Sequence, residues 1–383
     1  MKVKRAAALL GIISPLLISQ AEARTVKEYF VSPSGSERNN GSQASPWPSV
    51  EYALSKISGG NIITLMPGVY RDPIVVDVQS ATGYPTVIQS QNRWEAVIQG
   101  VSSHGVYTAD GITNVVIDGL QVANAALDGI KVGSFVTVKN CWIHHASGQG
   151  VAAHSTRQTL IERNLIEYNG TSPTLDHGIY ISGTNNIVRC NVIRWNKTYG
   201  CQIYYDPPSS SAECKFYNNL VYGNKDALSV WSPTGQTNYV FNNTLVSTNY
   251  VLIADYGKLC VTNNILVGAK FGQVICPEDG ATVWTDYNLT TVSSNPHGLH
   301  DVVTASPGFV NAKSGQFWLK SDSAARGMAA KSIVPRVNFF GQEQAVISDI
   351  GAFQYNPQFT NDTRTLDPAS AMPDYWLPVL ASP

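Results

Sequence analysis

The sequence predicts an all-β solenoid, a parallel β-helix, with one short capping helix near the N-terminus. Three observations carry that prediction. Seven segments repeat a common pattern at intervals of 20–28 residues. Each holds short runs rich in β-branched and aromatic residues, divided by Asn, Gly and Asp turns. Helix-length apolar periodicity is missing from residues 85 to 290.

The repeat aligns VVIDGLQVAN, VTVKNCWIHH, TLIERNLIEYN, NIVRCNVIRWN, CKFYNNLVYGN, YVFNNTLVSTN and LCVTNNILVGA through Leu120, Cys141, Asn164, Asn191, Asn219, Thr244 and Asn264. Their separations are 21, 23, 27, 28, 25 and 20 residues. Units of this length with two or three strands each are single coils, which cannot bury an apolar face alone and must stack. Neighbouring coils then lie about 4.8 Å apart. The recurring asparagines fit an amide ladder inside the turns, since Asn tolerates left-handed backbone and bonds to it locally.

At the N-terminus, Lys2, Lys4 and Arg5 precede an apolar run to about Ile18, and Ala21-Glu22-Ala23 supplies a cleavage site. Residues 1–23 are expected to be an export signal, with residues 24–355 forming one β-helix domain and 356–383 an extended tail. Removing the signal leaves 23 Lys+Arg against 26 Asp+Glu. That balance argues against a nucleic-acid partner but permits a local basic cleft for an acidic polymer. No second run is long and apolar enough for a membrane span, and a soluble monomer is expected. The six cysteines match no zinc pattern. An exported chain permits disulfides, and buried thiols serve equally as small hydrophobes. Six Asn-X-Ser/Thr patterns begin at Asn40, Asn169, Asn196, Asn242, Asn288 and Asn361.

The flanks carry a resemblance. Val31-Ser32-Pro33-Ser34-Gly35, Asn40-Gly41, Pro46-Trp47, a short helix near Val50–Ser55 and Pro67-Gly68-Val69-Tyr70-Arg71 look like the entry segment of secreted right-handed parallel β-helix proteins. SPGFVNAKSGQFWLKSDSAARG through DIGAFQY resembles their closing segment. The likeness covers roughly residues 28–355. It recurs in chondroitinase-B-like and alginate-lyase-like enzymes, which implies a polysaccharide-active protein. No segment matches the paired Lys and Arg or the calcium-binding acids of those lyases.

Strand alternation predicts which residues face solvent. With Ile130/Val132, Val151/Ala153, Ile179/Ile181, Ile203/Tyr205 and Leu228/Val230 inward, one outward column runs Lys131, Ala152, Tyr180, Tyr204, Ser229 and Leu252. The next runs Gly133, His154, Ser182, Asp206, Trp231 and Ala254, and the preceding corner Asp128, Gln149, His177, Cys201, Asp226 and Asn249. Candidate catalytic residues are therefore Tyr180, His154, Lys131, Tyr204, Asp206 and His177. Trp231, Asp226, Asp176 and Gln149 are candidates for binding a sugar chain. His144-His145 and Arg194-Trp195 are expected to be structural. Asp255, Glu278 and Asp279 offer oxygen ligands for calcium.

Three functions fit such a face. β-Elimination from a uronic-acid polysaccharide needs a neutralising cation, a base and an acid, which Lys131, the histidines and the tyrosines supply. A uronate C5 epimerase reuses those groups. Inverting glycoside hydrolysis needs two carboxyl groups on the face, available as Asp206, Asp226 and Asp176. A non-catalytic carbohydrate-binding or adhesion module would instead spread aromatics along the whole face.

Overall fold

The computed structural model describes residues 25–205, 212–268, 272–293, 296–331, 337–340, 343 and 349–357. The expected signal segment and nearly all of the expected tail lie outside the described residues. The chain folds as a right-handed parallel β-helix whose strands stack rung upon rung in three faces.

The first face carries Val106–Thr108, Ile130–Lys131, Val151–Arg157, Ile179–Thr184, Tyr199–Tyr204 and the beginnings of Asp226–Phe241 and Leu252–Thr262. The later halves of those two long strands continue into the second face, alongside Val136–Lys139, Leu160–Glu162, Ile187–Arg189 and Lys215–Tyr217. The third face runs from Gly68–Tyr70 to Val302–Val303 as an 11-stranded parallel sheet. One continuous core fills the solenoid, with Ile130, Ile179, Ile181, Val188, Phe216 and Leu245 all essentially inaccessible. The capping helix occupies Val50–Lys56, and the Ser49 hydroxyl accepts the Tyr52 N–H at 3.1 Å. It closes the first rung with Val50, Ala53 and Leu54. A closing segment packs Phe317, Trp318, Phe339 and Phe353 over Leu165, Val192 and Leu220 of the third face.

The amide ladder is continuous. Asn164, Asn191, Asn219 and Asn243 each donate from Nδ2 to the next amide oxygen, at 3.0, 3.0, 3.1 and 2.9 Å, and Asn264 continues to Asn288 at 3.0 Å. Asn243, and not the aligned Thr244, holds the place in the sixth of the seven segments. A second ladder links Asn169, Asn196 and Asn224 at 3.0 and 3.1 Å. This ladder buries Asn169 and Asn196, the first ladder buries Asn288, and Asn242 is also inaccessible, so four of the acceptor patterns cannot carry a glycan on the folded chain. All six cysteines are free thiols, five of them buried.

Register corrects three of the expected columns. Tyr180 pairs with Gln202, while Tyr204 pairs with Ser182. Cys201 pairs with Ile179 and Leu228 inside the core and is not a corner residue. Leu252 and Ala254 also pair inward, with Leu228 and Val230, so Ile253 and Asp255 face out. Tyr199 therefore occupies the corner beside His177 and Asp226.

Candidate functional site

Glycines open the strands of the first face. A Cβ on Gly178 would stand 2.5 Å from the Gly200 carbonyl oxygen and 2.7 Å from Ile193 Cγ2, so no larger residue fits between rungs. The corner side chains immediately before these glycines cap the following rung. Asp128 Oδ1 accepts the Gln149 N–H at 2.8 Å, Gln149 Oε1 accepts the His177 N–H at 2.6 Å, and His177 Nδ1 accepts the Tyr199 N–H at 3.4 Å. Asp226 Oδ1 accepts the Tyr250 N–H at 2.9 Å and also bonds Asn249. Asp176 is held in the adjoining loop, accepting the Thr171 N–H at 2.8 Å.

These bonds sort the expected site residues. Asp226 is 3 % exposed and engaged in capping, which leaves it unsuited to attack or protonate a sugar. His177 is 2 % exposed. Burial pushes its imidazole down to about 4, against weaker opposing effects of Asp176 and a hydrogen bond with Gln202. It is neutral near pH 7 and supplies no cation there. Asp206 lies outside the described residues.

The outward residues meet in a groove. A β-bulge between Ala153 and Thr156 breaks the register of the strand Val151–Arg157. Ser155 adopts a left-handed backbone, φ 53°, with its N–H held by Ser182 Oγ at 2.7 Å. Such bulges re-aim side chains, and here His154 turns toward Tyr180, ring centroids 4.6 Å apart. His154, Lys131 and Arg157 line a groove of about 510 Å³ together with Tyr107, and Asp110 is its one acidic lining residue. Lys131 Nζ sits 5.9 Å over the Tyr107 ring. At the groove's corner His104 Nδ1 lies 3.2 Å from Asp128 Oδ2. Burial lowers the His104 imidazole below its ordinary range; Asp128 opposes this, while Lys131 and His154 add to it.

An aromatic strip leads away along the face. Tyr180 to Tyr204 is 5.8 Å, Tyr204 to Trp231 4.8 Å and Trp231 to Tyr256 5.9 Å. It ends at Asp255, Glu278 and Asp279. Among the described residues no group of three or more His, Cys, Asp or Glu converges to hold a metal ion, so these acids do not fit the calcium site expected of them. Arg157, His104 and Tyr107 were not anticipated. The bulge that brings Arg157 forward has no signature in ordinary strand alternation.

The strands ending in His144 and Arg194 lie on the third face, away from the groove. Arg194 Nε bonds Glu167 at 2.7 Å and its Nη1 bonds Tyr222 Oη at 2.8 Å, all three buried. Trp195 stacks on Tyr168 at 5.0 Å.

Residues 95–245 match a family model described as a right-handed β-helix region. Fold and matched segment together define a right-handed β-helix protein. A pectate lyase L of Dickeya dadantii (strain 3937) is 28 % identical over 144 residues, covering 33 % of each chain. The chain thus spans about a third of the length of the curated relatives it matches. Among solved structures, the pectate lyase Pel9A superposes with a TM-score of 0.65 at 16 % identity, over 88 % of this chain and 98 % of that one. XylC in complex with xylose superposes with a TM-score of 0.60 at 10 % identity, over 85 % and 98 %. At these identities the two superpositions establish the fold alone.

Proposed function

We propose that the chain is an exported polysaccharide-active enzyme that abstracts the C5 proton of a uronic-acid residue, cleaving the glycan by β-elimination or epimerising it. The carrying observation is the His154–Tyr180 ring contact at 4.6 Å beside a groove lined by Lys131 and Arg157. The local similarity to a pectate lyase supports the same reading.

In this reading Lys131 and Arg157 pair with the uronate carboxylate. Neutralising that charge makes the C5 proton removable. His154 takes the proton, and Tyr180 stands one rung on, where the Tyr180 hydroxyl donates to the leaving O4. Tyr204 and Trp231 support the chain beyond the cleavage point. His177 positions Gln202 and Tyr199 from behind, as a neutral ring.

Incubation with acidic and neutral polysaccharides tests the proposal. Ultraviolet absorbance from unsaturated uronate is expected on an acidic member of the panel. Deuterium incorporation at C5 without absorbance identifies the epimerase form. Neither signal on any uronate polymer overturns it.

A further inference from the structure

Charge is zoned along the first face. Lys131 and Arg157 come from neighbouring rungs, and the outward strand residues Tyr180, Gln202, Tyr204 and Trp231 that follow carry no charge. Toward the N-terminal cap, Val75 is the register partner of Tyr107. Beside it the exposed acids Glu51, Asp72 and Asp77 line a recess of about 680 Å³ with no basic residue in its wall. Toward the other end Trp231 pairs with Asp255 and Asp255 with Glu278, and both Glu278 and Asp279 are exposed. Asp255 registers the negative potential there. It is 3 % exposed, and its Oδ1 has no hydrogen-bond partner among the described residues. Burial, and then the charges of Asp279 and Glu278, raise its carboxyl to about 6. Asp279 also raises the exposed Tyr256 phenol.

Distance along the axis decides what this zoning does to a bound chain. At about 4.8 Å per rung, the recess at Val75 lies two rungs before Lys131, roughly 10 Å, and Asp255 five rungs beyond it, roughly 24 Å. Exposed charges are screened over about 8 Å at physiological ionic strength. The two cations therefore serve one carboxylate, and a uronate near either end of the face meets like charge. Between them the rings of His154, Tyr180, Tyr204 and Trp231 follow one another at 4.6, 5.8 and 4.8 Å, a path that leads a glycan along the axis. A neutral sugar can rest an apolar face on such rings. A uronate stacked there loses hydration and gains no counter-charge.

We propose that the substrate is a heteroglycan in which each uronate is flanked by uncharged sugars, and that the acidic ends of the face select against homopolymers of uronic acid. The inference rests on the reading above, because it takes Lys131 and Arg157 as the partners of the uronate. Selection of this kind uses repulsion of the wrong chain as well as attraction of the right one.

Calorimetric binding to the full chain tests this without needing turnover. Two pairs of oligosaccharides of equal length hold the uronate fixed: the alternating galacturonate–rhamnose backbone of pectin against polygalacturonate, and hyaluronan against a homopolymer of glucuronate. The alternating member of at least one pair should bind about tenfold more tightly than its homopolymer. Raising the salt concentration should narrow that gap. Combined Asp77→Asn, Glu278→Gln and Asp279→Asn, all at exposed positions, should tighten homopolymer binding by about two- to tenfold and leave the alternating glycan unchanged. Homopolymers bound as tightly as their alternating counterparts, no binding of either alternating glycan, or a triple variant that still discriminates in full overturns the inference. The reaction is scored separately on the same glycans. Preferred elimination or C5 exchange on a homopolymer sinks this inference alone, whereas preferred binding of an alternating glycan without turnover supports it and sinks the reaction.

Discussion

Tyr180 meets His154 ring to ring at 4.6 Å even though its register partner is Ala152, two residues earlier. The bulge at Ala153–Thr156 makes up the difference. Tyr180→Phe and His154→Ala should each lower turnover of the acidic polymer by about 10²–10⁴-fold. Both side chains reach solvent, so the thermal midpoint should barely move. Deleting Ser155, which removes the bulge residue, should cost as much activity as either. Steady-state rates beside melting curves check all three.

Lys131 and Arg157 share a groove with one acid. Lys131→Ala or Arg157→Ala should lower kcat/KM on a uronate polymer by about tenfold, equivalent to ~1.4 kcal/mol. The wild-type advantage should shrink as ionic strength rises, because exposed charges are screened. Rates across a salt series measure it.

The Glu167–Arg194–Tyr222 group is buried and fully bonded. Arg194→Met alone should destabilise the fold by about 3–5 kcal/mol, since Glu167 keeps an unpaired charge. The double substitution with Glu167→Gln should recover a large part of that loss. A urea double-mutant cycle reads the coupling.

Stability should depend on pH through two groups of opposite sign. His177 titrates at about 4 folded against an ordinary 6.5. The unfolded chain therefore binds the extra proton, and this contribution is full above about pH 6.5 and lost as pH falls toward 4. Asp255 titrates at about 6 folded against 3.8, so its contribution is full below about pH 3.8 and lost as pH rises through 6. Asp255→Asn should accordingly raise the urea midpoint near about pH 8 more than near about pH 4. His177→Gln should flatten the acid limb.

Free thiols give a simple check. Reductant should leave the melting temperature unchanged, and denatured protein should titrate all six cysteines without prior reduction.

Rung period, capping helix and ladder residues are legible in the sequence because each rests on local chemistry: Asn in left-handed turns, alternation in strands, Ser49 at the helix start. Register within a rung is less so. In NKTYGCQIYYDP a single alternation buries Ile203 but admits two registers, with Ile203 opposite Ile179 or opposite Ile181, and only the glycine column, with Cys201 acting as a small core hydrophobe, selects the pairing of Tyr180 with Gln202. The other register would put Tyr204 opposite Tyr180 in place of Ser182. Leu252 turns inward because Val251 holds the strand-opening position that glycine holds from Gly129 to Gly200 and Ala227 holds in the rung before. The bulge carrying His154 and Arg157 inserts a residue that alternation cannot anticipate. Asp255 is visible in sequence only as an acid; its orphaned oxygen is a property of burial.

The amide ladder has a consequence for the length of the molecule. From Asn164 to Asn264 each asparagine hands its bond to an identical group one rung on, so no rung of that run is marked by its ladder bond. Excising residues 191–218 would place Asn219 after Asn164 with the same donor, acceptor and spacing as before. Along this ladder, then, a whole rung can be removed or added without leaving an amide unpaired. The aromatic strip of Tyr180, Tyr204, Trp231 and Tyr256 is what distinguishes one rung from another on the first face.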